Sequence, residues 1–300
     1  MSEAGVTRAP RAAGTIYDLG YQRYAGRRLG QFNAVKTLFT FSLRTAFGLG
    51  RGDRSKIIPG AILLITFLPA IVQVGIASAT QRPEFINYAG HLQFTAFLLA
   101  LFAAAQAPEL IVTDRQHGVL SLYLSRPLTG TDYAFAKLAA LSAGMLVLTL
   151  GPQLLLFLGK VFMLASPWTS LKEEWRKLLP IVGGTMVVSV LMASIGLALS
   201  SLAGRRAFAS ANVIALFLFM PAASQLLRSL TAGDVRRYLV LANPVFLMTG
   251  FTNWLFAIEA RRRSVIGRAD LPGTTYLITI LTVCLVCTFI LWWRYRRSEA

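Results

Sequence analysis

Thr113-Asp114-Arg115-Gln116-His117-Gly118-Val119-Leu120-Ser121-Leu122-Tyr123-Leu124-Ser125-Arg126-Pro127-Leu128 is a charged turn, then a short amphipathic stretch, then a proline exit. It lies between two apolar runs, about 92–112 and about 134–158, each long enough to cross a hydrocarbon core of about 30 Å as a helix. Backbone groups inside a bilayer find no water to bond, so each run must be helical and the polar stretch between them must lie outside. The chain therefore reads as an all-α integral membrane protein in which 113–133 is a loop. Val119, Leu120, Leu122, Tyr123 and Leu124 are too apolar to stay in water, while Asp114 and Arg115 are too polar to enter lipid. Gly118 permits a tight change of direction, and Arg126-Pro127 forces an extended exit because proline disfavours helix in the residue before it. Residues 114–125 thus form a short helix lying across one face of the membrane, where a soluble partner can push on it. Short helices of this kind also serve simply to connect spans.

Composition agrees. The 300 residues are 55% hydrophobic and 14% charged, with mean hydropathy +0.58, outside the range of ordinary soluble domains. Thirty Lys and Arg against thirteen Asp and Glu give a net charge of +17, which in a soluble chain would point to nucleic acid. In a membrane protein such residues crowd the cytoplasmic ends of spans, set topology and meet anionic lipid, so no nucleic-acid partner is expected.

Toward the N-terminus, the first span is about 57–79, with Pro69 inside it, and a short loop holding Arg82, Glu84 and His91 joins it to the second at about 92–112. Before it, Phe32, Val35, Phe39, Leu43 and Phe47 recur at three- and four-residue steps, while Lys36, Thr40 and Arg44 share another face. That stretch is too short and too charged to span, and reads as a helix in the cytoplasmic interface ended by Gly48, Gly50 and Gly52. Residues 1–56 are accordingly a cytoplasmic tail plus this amphipathic helix, and 57–300 a transmembrane domain. Tyr17, Tyr21 and Tyr24, set among arginines in the tail, suit either a partner surface or rings resting on headgroups.

Toward the C-terminus, the third span at about 134–158 is followed by an external interfacial stretch, 159–179, with Trp168 and Trp175. Spans at about 180–203 and 207–230 flank a tight Gly204-Arg205-Arg206 turn, and the last span is about 274–293. Ala96, Ala100, Ala104 and Ala107 on the second span, and Ser189, Ala193, Gly196, Ser200 and Gly204 on the fourth, are small-residue stripes that favour close helix contact. Residues 238–258 are uncharged and long enough to cross. Asn243, Pro244, Thr249, Gly250, Thr252 and Asn253 nevertheless suit short re-entrant helices within an external region, 231–273. Six spans result; a crossing at 238–258 would make seven and reverse the C-terminal end. Ten Lys and Arg before residue 57 place the N-terminus in the cytoplasm, and six spans return the C-terminus to it.

Chemistry is scarce. Gly159-Lys160 lacks the upstream glycine that a phosphate-binding loop needs, so the chain does not hydrolyse ATP by itself. His91 and His117 fall on opposite sides of the membrane, which leaves no metal centre, and Cys284 and Cys287 read as packing residues within a span. No cofactor is expected on this chain. Glu109, near the end of the second span, is the sharpest intramembrane group, because a carboxylate at depth costs about 2.5–3.5 kcal/mol on insertion scales. It is either a gate or interface charge paired with Lys137 or Arg115, or a side chain that reaches headgroup water.

Asp114-Arg115, Gly118, Leu120, Leu122, Ser125-Arg126-Pro127-Leu128, Tyr133 and Lys137 resemble, in order and spacing, the cytoplasmic loop of type-2 ABC transporter membrane subunits. The layout of an amphipathic helix, six spans and re-entrant helices before the last agrees across almost the whole chain. Gln116 and Ser121 stand where acidic residues are frequent in that family, so polar pairing with a partner differs here. The resemblance implies a permease of the cell membrane, an exporter, working as a homodimer or with a related permease and driven by two separate ATPase subunits that hold the ATP and Mg. It implies that 114–125 is the coupling helix, with Asp114, Arg115, Gly118, Leu120, Leu122, Tyr123, Arg126 and Pro127 making the contact. The alternatives are a membrane-embedded lipid-modifying enzyme, which would need carboxylates or histidines clustered at one depth, and a non-transporting assembly or immunity protein on the same fold.

Overall fold

In the computed structural model the chain is helical, with no strand among the described residues, and six helices are long and apolar enough to cross a membrane. The structure describes residues 30–50, 52–124, 128–163, 172, 174–260 and 264–296. The tyrosine-rich tail, Ser125-Arg126-Pro127, Trp168 and Arg261-Arg262-Arg263 lie outside those residues, as does the side chain of Leu120. In order, the α-helices are α1 (Gln31–Ala46), α2 (Arg54–Thr80), α3 (Tyr88–Gln116), α4 (Val119–Leu124), α5 (Gly130–Met163), α6 (Leu178–Leu202), α7 (Arg206–Leu230), α8 (Asp234–Tyr238), α9 (Pro244–Leu255), α10 (Val265–Ala269) and α11 (Gly273–Arg296). The long helices α2, α3, α5, α6, α7 and α11 are the spans, and they outrun the hydropathic runs. At 34 residues and about 1.5 Å of rise each, α5 is about 51 Å long, so both its ends project from a core of about 30 Å.

The bundle is built round α3, the most enclosed span, packed by α5, α6 and α7. Its alanine stripe explains why. A Cβ on Gly196 of α6 would lie 3.0 Å from that of Ala103, so the missing side chain is what lets the two backbones approach. Where no water is at hand, the polar groups between spans find one another: Thr149 and Ser189 hydroxyls lie 3.1 Å apart, and Gln153 donates to the Tyr88 carbonyl at 2.8 Å. His91, read from sequence as a loop residue, is buried inside α3, with Nε2 3.1 Å from the Thr66 carbonyl of α2. The uncharged start of α3 extends its hydropathic run outward far enough to take His91 in.

The helix α1 lies lengthwise along α5. Gln31 donates to Asp132 at 2.6 Å, while the Leu43 and Phe47 side chains pack at Gly144, 3.7 and 3.6 Å from where its Cβ would be. The Phe47 ring also stands 5.8 Å from that of Phe102, midway along α3. The end of α1 thus reaches the middle of the bundle, and the chain turns there at Gly48, whose φ of 67° needs glycine, before entering α2.

The described residues of 231–272 hold no seventh span. The uncharged stretch breaks into a 3-10 turn, Leu239–Ala242, and α9, whose 12 residues cover about 18 Å, too little to cross. Asn243 makes the break by capping α9, accepting from the Val245 amide at 2.8 Å, and Pro244 takes the first helical position. Pro244 and Leu247 line an apolar cavity of about 230 Å³ with Ile195, Val283 and Cys287 in mid-bundle. At its other end Leu255 packs over Gly184, and Gln93 donates to Thr252 and Asn253. The segment enters and leaves by the same end of the bundle. There too Lys160 and Lys177 share Glu174 Oε1 at 3.2 and 2.7 Å, closing the loop between α5 and α6.

Candidate functional site

The loop that interrupts the second and third spans sits on a dense set of polar contacts. Helix α3 ends at Gln116, and Gly118 turns the chain with a φ of 65°, its amide donating to the Arg115 carbonyl at 3.3 Å. Six residues of α4 follow, folded back on α3. Leu122 is 67% exposed, while Tyr123 turns inward, its ring 6.0 Å from that of Tyr133. Of the α4 side chains described, Leu122 stands outward and Tyr123 is anchored.

Beneath it, Asp114 is the junction of α3 and α5. Its Oδ2 takes Lys137 Nζ at 2.8 Å and the Tyr133 hydroxyl at 3.0 Å. Lys137 is only 2% exposed and lies over the Tyr133 ring at 5.3 Å, so the ammonium is desolvated and held by a carboxylate and a π-face together. Tyr133 in turn packs against Tyr295 in the last turn of α11, with ring centroids 5.1 Å apart.

Arg115 and Gln116 reach the other way, to the turn between α6 and α7. Arg115 donates to the carbonyls of Ser201, at 3.1 Å, and Ala203; Gln116 donates to that of Gly204 at 3.4 Å. These are the carbonyls left over at the end of α6, which a cation satisfies well. Glu109, one turn further in, pairs with Arg206 at 2.5 Å. Of the partners considered from sequence, then, Lys137 is taken by Asp114 and Arg115 by carbonyls, and Glu109 has a third, Arg206, which brings the start of α7 against α3.

The exit from the loop is fixed by reciprocal capping at the start of α5. Thr129 Oγ1 accepts from the Asp132 amide at 3.1 Å, and Asp132 Oδ2 accepts from the Thr129 amide at 3.0 Å. Gln31 bonds to the same carboxylate oxygen, so α1 is attached to the loop as well.

Of the residues singled out from sequence, Asp114, Arg115, Gly118, Tyr123 and Lys137 come together here, Leu122 stands exposed above them, and Glu109 lies one turn below. Leu120 has its side chain outside the described residues, and Arg126 and Pro127 lie outside them entirely. Tyr295, Arg206, Asp132 and the carbonyls 201–204 were missed. The only sign of them in the sequence is a polar or aromatic group one turn inside the end of a span, which by itself says nothing of its partner.

The arrangement ties the end of α3 and the inner side of α4 to the neighbouring helices. Among the described residues no cluster of three metal-ligating side chains occurs. Ion pair, ring contact and carbonyl bond connect this loop to α3, α5, α11 and the α6–α7 turn. A family model described as ABC-2 family transporter protein matches residues 31–300. No curated protein matches the chain.

Proposed function

The chain belongs to the ABC-2 family of transporter membrane proteins, and on that premise we propose that it is the permease half of an ATP-driven exporter. Two copies, or this and a related permease, flank the pathway, and two separate ATPase subunits bind below. The end bearing Asp114 and both termini faces the cytoplasm, with 231–273 outside. Helix α4 and its flanks, 114–125, are the coupling element. The observation that carries this is Leu122, an apolar side chain 67% exposed at an aqueous end, directly above contacts that reach four other spans. ATP-driven closure of the ATPase pair displaces α4; for work to be coupled, docking there must differ in free energy between the two states of the permease. On α7, Asn212 and Gln225 are exposed. Polar side chains on a span seldom face lipid, which supports a second copy or the pathway lying beside α7.

The test begins with whether a neighbouring open reading frame encodes a soluble protein with a phosphate-binding loop, and proceeds by co-expression with that protein. Leu122→Glu and Leu120→Glu are expected to abolish co-purification and stimulated ATP hydrolysis while leaving the permease folded; normal complex and normal stimulation in both variants would refute the docking. Orientation is checked separately by Ser298→Cys, which is expected to resist an impermeant thiol reagent in intact cells.

A further inference from the structure

Along α1 runs a groove of about 740 Å³ lined by Asn33, Lys36, Thr40, Phe41, Arg44 and Leu49, with no carboxylate in its wall among the described residues. Lys36 and Arg44 are both exposed and make no ion pair among the described residues. The Thr40 hydroxyl is turned back to the Lys36 carbonyl at 2.9 Å, and the charged side chains of the groove among the described residues are both basic. Phe41 and Leu49, 54% and 50% exposed, make the rest of the wall apolar.

Depth makes this unusual. Phe47 reaches the ring of Phe102, midway along α3. Arg44 is three residues earlier, about 5 Å along the helix. Half a hydrocarbon core is about 15 Å. The turn that follows, with Ser55 against Gly48 and Asp53 and Lys56 exposed, is charged too, so headgroups or water reach this level, and a basic side chain there draws a phosphate. Lys36, two turns nearer the Asp132 end, stands between that level and the surface, so the two cations form a ladder from the interface into the leaflet. The apolar wall beside them suits acyl chain. Water alone would serve the cations and leave Phe41 and Leu49 facing it.

We infer that this groove holds one anionic phospholipid of the leaflet on the Asp114 side, its phosphate on Arg44 and Lys36 and its chains along Phe41 and Leu49. Because Gln31 at the head of α1 is bonded to Asp132, at the exit of the coupling loop, the bound lipid steadies the helix that positions that loop. The inference concerns occupancy and does not depend on an ATPase.

The full-length chain, extracted without delipidation, is analysed by native mass spectrometry and titrated with phosphatidylglycerol, with phosphatidylcholine as the control. The natural protein is expected to retain one anionic lipid per chain that phosphatidylcholine does not displace. Lys36→Gln combined with Arg44→Gln should weaken phosphatidylglycerol binding about thirtyfold, at the usual strength of two basic side chains near anionic lipid. The charge-keeping pair Lys36→Arg and Arg44→Lys should restore it, which separates loss of charge from damage to α1. Equal retention by the neutral double variant, or displacement by phosphatidylcholine as readily as by phosphatidylglycerol, overturns the inference. Failure of ATPase docking in Leu122→Glu would leave this result untouched, so the two readings stand or fall separately.

Discussion

The two ends of the bundle are fastened by different physics. At the Asp114 end the spans are joined by directional polar contacts: an ion pair on a buried lysine, an arginine on two carbonyls, a second ion pair between Glu109 and Arg206. At the opposite end polar contacts such as those of Gln93 and Glu174 are joined by close fits of shape. A Cβ on Gly250 would sit 2.3 Å from the Tyr276 ring, and one on Gly273 would fall inside Trp254. Polar contacts have alternative partners and can be exchanged one set for another, which suits a site that receives a stroke. Steric contacts between a glycine and an aromatic ring have one good arrangement, which holds α9 and α11 in a fixed register.

Asp114→Ala should break the polar end most severely. It leaves Lys137 buried without its carboxylate, an error worth about 3–5 kcal/mol, and a large drop in the unfolding midpoint of the purified protein in detergent is expected. An unchanged midpoint would mean the pair is not desolvated and the comparison fails there. Gly250→Val is the matching test of the other end: overpacking against a ring 98% buried should cost about 1–3 kcal/mol, whereas the charge-preserving Asp114→Glu at the polar end should be milder than Asp114→Ala. Thr129→Ala removes one half of the reciprocal cap of α5 and should cost about 1 kcal/mol, read by the same unfolding midpoint. Smallest in stability is Leu122→Glu, within about 0.5 kcal/mol because the side chain is 67% exposed, although its effect on ATPase stimulation should be the largest of all.

Much of this was legible before the structure. Six spans and their order follow from the cost of leaving backbone groups unbonded in lipid, and Asn243-Pro244 marked the place where an apolar run fails to cross. Gly118 and the amphipathic residues after it announced a short helix at an aqueous face. What could not be read were the partners. Periodicity shows which face of α1 is apolar and not what that face meets; Gly144, which admits Leu43 and Phe47, lies a hundred residues away. Glu109 advertised its cost, but its counter-ion is supplied by a turn that only the folded bundle brings near. Tyr295 has no signature beyond being aromatic near the end of a span.

The bond from Gln31 to Asp132 joins residues 101 apart in sequence. At about 5–20 residues per second of synthesis, α1 leaves the ribosome roughly 5–20 s before the helix it packs on exists. During that interval its apolar face has no protein to cover it, and a basic amphipathic helix rests on the membrane surface instead. Docking of α1 is therefore a late event in biogenesis, after the third span has been inserted. A cysteine at Leu38 should accordingly label readily in nascent chains stopped before Gly130 and become protected in chains released at full length.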